Sequence, residues 1–136
     1  MRATAVSGPL VFALLLVPTC QQRLTGPTIS GQWGGPHIDL VTTDSGAAIE
    51  YDCAHGMITE PVLPDVFGVF VARGVHVREH GGPVREGEPL DQHPARYAGR
   101  IEGTTMRLTV TLTDSGTELG TFLLVRGEAG RVFKCL

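Results

Sequence analysis

From Gly31 onward the apolar residues recur at every second position, a period that specifies extended chain and excludes a helical fold. Met106, Leu108, Val110 and Leu112 share one face, with Arg107, Thr109, Thr111 and Thr113 on the other. Tyr97 and Ile101 oppose Arg96, Arg100 and Glu102 in the same way, and Val75 and Val77 oppose His76, Arg78 and His80. Leu119 to Arg126 is apolar on both faces, as expected of a covered strand. Turn residues separate these runs. Thr43-Asp44-Ser45-Gly46 recurs as Thr113-Asp114-Ser115-Gly116, each time between strand-like runs, which fits hairpin chemistry more simply than internal duplication.

The pattern predicts strands near 37–43, 47–53, 57–62, 67–73, 75–80, 95–102, 105–113, 118–126 and 131–135. Such a series, with no credible helix, points to an all-β fold: a small antiparallel meander barrel of about eight strands, with a β-sandwich as the alternative. Side chains nearly fill a barrel of that strand number, so any cavity is expected to be modest or close to a rim. Gly81 to Pro94 breaks the rhythm with three prolines, three glycines and four charged residues. Loops of that length are usually functional or mobile.

A chain of 136 residues suits one domain. Its net charge of −3 and its 18% charged residues exclude a polybasic nucleic-acid binder and a charge-rich disordered tail. Near the N-terminus, Arg2 precedes the apolar run Val11 to Val17, which is too short to span a membrane and suits a secretory signal. Cys20 follows Val17-Pro18-Thr19, and this segment resembles the lipobox of bacterial lipoproteins. That resemblance implies acylation of Cys20, with ordinary secretion as the alternative. The expected organisation is a signal peptide over 1–19, a lipid-anchored tether over 20–30 and one β-barrel domain over 31–136. The protein is then expected on the bacterial cell envelope, facing periplasm or cell surface, as a monomer.

Export would leave Cys53 and Cys135 as an even pair in an oxidising compartment. Each alternates in phase with apolar neighbours (Ile49 and Tyr51; Phe133), which predicts two core-facing cysteines able to bridge. The alternative is two buried thiols.

His76-Val77-Arg78-Glu79-His80 matches the text of a zinc-protease signature, but that chemistry needs both histidines on one helical turn. On a strand they stand about 13 Å apart. A looser divalent-metal site, in a carrier or metal-dependent enzyme, would draw on His80, His93 and the loop carboxylates Glu86, Glu88 and Asp91. No diagnostic ligand spacing supports it, and neither metal nor cofactor is expected. Asp52, Cys53 and His55 would form a nucleophilic cluster only if the thiol were free and faced the imidazole. Phosphate-binding and serine-nucleophile motifs do not occur. The preferred reading is a non-catalytic ligand-binding or envelope-interaction module with a small-molecule or envelope-protein partner. Its contact residues are expected among His55, His80, Arg85 and His93, around one rim.

Gly31-Gln32-Trp33 resembles the G-x-W motif that opens lipocalin-like barrels. That resemblance implies that Trp33 plugs a closed end, that Arg126 or Arg131 packs across it, and that ligand enters opposite. More widely, Gly31 to Ile38, Asp52 to Gly56, Glu79 to Arg85, Tyr97-Ala98-Gly99 and Lys134-Cys135-Leu136 resemble a family of uncharacterised exported bacterial proteins. The family has no established activity and so assigns no functional residue.

Overall fold

In the computed structural model, which describes residues 29–136, eight strands close into an up-and-down antiparallel barrel with no helix among the described residues. The strands are β1 Gly31–Gly35, β2 Ile38–Thr42, β3 Ala47–Tyr51, β4 Ala54–Ile58, β5 Val69–Arg78, β6 Asp91–Glu102, β7 Thr105–Leu112 and β8 Glu118–Arg126. Each pairs with its chain neighbour, and β8 returns to β1 through Trp33–Arg126 and Gly34–Val125. Closure leaves no free sheet edge, and the sandwich alternative falls.

Inward positions carry the apolar set predicted for β6 and β7, Tyr97 and a partly buried Ile101 on one and Met106, Leu108, Val110 and Leu112 on the other, with Ala95 added on β6. Leu40, Ile49, Phe70 and Leu124 complete the interior around a fully buried Trp33. Phe70 lies across Gly99, its direct partner on β6, where only a residue without a Cβ leaves room for the ring.

Several boundaries differ from the sequence reading. Gly31–Gly35 is a full strand although three of its five residues are glycine, which erases the alternation that marks strands. The fourth strand begins at Ala54 rather than near 57, so His55 lies in a strand and not in a turn. The runs 67–73 and 75–80 form one ten-residue strand that passes through Gly74 without interruption. Phe70 and Ala72 set its phase, which puts His76 inside and Val75 and Val77 outside, the reverse of the expected faces. Leu123 on β8 is 59% exposed, so this strand is not covered on both sides.

The segment 131–135 is not a strand. It belongs to a C-terminal tail joined to the barrel by an isolated bridge between Pro36 and Arg131. His37 N–H donates to Arg131 O at 2.8 Å, Gly130 N–H to Asp39 Oδ1 at 2.7 Å, and Phe133 N–H to Asp52 Oδ1 at 2.7 Å. Cys53 and Cys135 are bonded, with Cα atoms 4.8 Å apart. The bridge sits at a rim and not in the core: Cys53 occupies the β3–β4 turn and Cys135 is exposed on the tail. Neither cysteine belongs to a strand, so the inferred alternation has no structural counterpart there.

Candidate functional site

Alternating strand direction gives the barrel two unlike ends. At one end β1 begins, β8 finishes, and Arg126 holds its guanidinium carbon 4.7 Å from the centroid of the Trp33 ring. With Arg126 exposed above the buried indole, such a cation–ring contact is favourable by about 0.5–1 kcal/mol. At the other end stand the β1–β2, β3–β4 and β7–β8 turns and the long β5–β6 loop.

All five histidines gather at this second end. His37 is in the β1–β2 turn, His55 at the start of β4, His76 near the end of β5, His80 in the following loop and His93 near the start of β6. Positions spread over half the sequence converge because up-and-down connectivity returns the chain to the same rim every second turn.

A cavity of about 430 Å³ opens here. Tyr51, Ala54, Leu119 and Phe122 form its apolar wall, and His37, Asp52, His76, Arg78 and Glu79 its polar groups. The Tyr51 ring packs against Phe122 at 5.6 Å and against His76 at 5.2 Å between centroids.

Two hairpins at the mouth carry the only non-glycine residues with left-handed backbones among those described, His37 (φ 66°) and Cys53 (φ 51°). Such conformations are uncommon and persist where the surroundings enforce them. Here the His37–Asp52 bond of 2.5 Å secures the first and the disulfide the second.

The acidic groups at the mouth are already engaged. Phe133 N–H and then His37 hold the Asp52 carboxyl below its ordinary range. For Glu79, desolvation acts upward but is outweighed by hydrogen bonds from His55 (2.7 Å) and Lys134 (3.1 Å), which leave it lowered. Lys134 also pairs with Glu50 and donates to Ala54 O at 2.9 Å, so the sole lysine ties the tail to the barrel wall. Arg78, by contrast, makes no side-chain hydrogen bond or ion pair with any described residue.

Among the described residues, Trp33 Nε1 and His76 Nδ1 are buried without a hydrogen-bond partner, and buried Tyr51 Oη has only the Tyr97 hydroxyl beside it. Tyr51 and His76 line the cavity. The Tyr97 hydroxyl beside Tyr51 is committed to Val75 O at 2.7 Å. Burial, and next the proximity of Tyr97, push the Tyr51 phenol well above its ordinary value, while burial raises Tyr97 to about 12. Desolvation and then the Arg78 charge lower His76, which is therefore neutral at pH 7.

The four contact residues inferred from sequence do not share this cavity. His55 lies on the outer face of β4 against Glu79. His80 donates to Glu88 Oε1 at 2.8 Å and, with Arg85, borders a separate surface hollow formed by the loop. Its pKa is raised by the Gly81 carbonyl first and then by Glu88. His93 points inward but is held between Asp114 (2.6 Å) and Asp91 (2.9 Å). Among the described residues, no group of three or more His, Cys, Asp or Glu side chains is arranged to hold a metal ion. Sequence reasoning passed over Tyr51, His76 and Arg78. The inward phase of Tyr51 was legible, whereas that of His76 and Arg78 depended on β5 continuing through Gly74. Cys20 lies outside the described residues.

No protein-family model, curated protein or solved structure matches this chain.

Proposed function

We propose that this protein is an exported, lipid-anchored and non-catalytic barrel that binds a small ligand in the mouth opposite Trp33. The observation that carries this reading is the 430 Å³ cavity at one end of a barrel whose remaining interior is filled. Its mixed lining, apolar rings with a few polar groups, is the usual make-up of a small-molecule site. The likeness of Gly31-Gln32-Trp33 to the lipocalin-type opening motif supports the same polarity, since Arg126 covers Trp33 at the far end. The described chain enters β1 at that far end, so an anchor at Cys20 would join the barrel at the end opposite the mouth.

The test is titration of the exported protein with the neutral dye N-phenylnaphthylamine, whose emission rises on leaving water. One saturable site, blocked by Leu119→Trp at the rim, is the expected result. Absence of dye binding in a folded, disulfide-bonded sample would overturn the proposal.

A further inference from the structure

We infer that the ligand of this cavity is a small organic anion with an apolar body, its charged group held by Arg78 with help from Tyr51 and His76. The inference rests on the proposed binding function and names its ligand class.

The cavity presents an imbalance of hydrogen-bonding groups. Asp52 and Glu79 are each paired with a histidine and further donors, so little acceptor capacity is left for an incoming cation. Arg78 has no partner among the described residues, and its guanidinium carries five N–H donors suited to a carboxylate or related oxyanion. It shares the inward phase of β5 with His76, two residues earlier, so both address the same mouth.

Beneath Arg78 lie two buried polar groups. Tyr51 is 5% exposed and His76 6%; among the described residues His76 Nδ1 has no hydrogen-bond partner, and Tyr51 Oη has only the Tyr97 hydroxyl beside it. Buried polar atoms are seldom left unmatched, because each costs about 1–3 kcal/mol of desolvation. A phenol that stays protonated is a donor. A neutral imidazole donates from one nitrogen, and an oxyanion would take both bonds while meeting the guanidinium. Tyr51, Phe122 and Leu119 provide the wall for the apolar body.

Octanoate and octan-1-ol, which share a chain length and differ in charge, make the test at pH 7 by displacement of the neutral dye and by calorimetry. Octanoate is expected to bind about tenfold more tightly than octanol, the factor for one charge-assisted contact. Arg78→Gln should abolish that preference, read as the ratio of octanoate to octanol affinity, and Arg78→Lys should restore part of it. Tyr51→Phe should weaken octanoate alone. Arg78 is exposed, so its replacement leaves the core intact, and an unchanged melting temperature checks this. Equal affinity for the two ligands, or a preference that survives Arg78→Gln, overturns the anion inference while dye binding keeps the cavity reading. Failure of the dye and both ligands to bind overturns both.

Discussion

His76 and His93 are direct partners across the β5–β6 ladder, yet their surroundings drive the two imidazoles in opposite directions. Desolvation, with Arg78, His93 and His55 adding positive charge against Asp91, lowers His76. Hydrogen bonds to Asp114 and then Asp91 raise His93. Because His76 titrates below 6.5 when folded, its contribution to stability is present above that pH and is lost as pH falls through the folded value. His93 has the opposite sign, contributing below 6.5 and losing its effect as pH rises through its folded value. Imidazole NMR titration should resolve His76 below the ordinary value and His93, together with His80, above it. Asp114→Asn should lower the His93 value and destabilise more at about pH 6 than at about pH 8. Equal destabilisation at both would show that the pair does not act through charge.

Trp33 and Arg126 are register partners as well as stacked groups, so β1–β8 closure and the plug depend on the same residues. Trp33→Ala is expected to cost about 3–5 kcal/mol by chemical denaturation. Arg126→Met, which keeps the stem and removes the charge from an exposed position, should cost about 0.5–1 kcal/mol. A neutral Trp33→Ala would mean that the indole is not part of the core.

The bond between Cys53 and Cys135 closes a separation of 82 residues, which in the chain-entropy model stabilises by about 4 kcal/mol. Cys53→Ser and Cys135→Ser should therefore destabilise equally, and the double variant should be little worse than either. Additive costs in denaturant melts would contradict the pairing.

Gly99→Ala places a methyl group into the ring of Phe70 on the neighbouring strand. A destabilisation of about 1–3 kcal/mol is expected, as for other overpacked cores. Phe70→Leu in the same chain should recover part of it, and a thermal melt of the three variants checks the compensation.

Period-two alternation made β7 and the later part of β6 legible, because Tyr97, Met106, Leu108 and Val110 alternate with charged or threonine positions, while Asp91 to Pro94, read as loop, are the first four residues of β6. It failed where glycine or valine removed the contrast. Gln32 and Trp33 stand among glycines, so β1 reads as a leader to the sheet rather than as its closing strand. On β5 the valines at 69 and 71 are exposed and Val77 is buried from outside, so hydrophobicity alone assigned His76 to the wrong face. The candidate site was hidden for the same reason. His55, His80, Arg85 and His93 were legible as polar groups near one rim, but the cavity uses Tyr51, His76 and Arg78, whose convergence depends on β3, β4 and β5 pairing in one register.

The C-terminal tail gives the molecule an uneven response to force. A pull applied between Ile29 and Leu136 would load the Cys53–Cys135 bond directly. Strands β4 to β8 lie within the covalent ring and are shielded from the pull, whereas β1 to β3 lie outside it and would peel away. Mechanically the barrel is a short extensible arm attached to a locked ring. Reducing agent would convert it into a fully extensible thread.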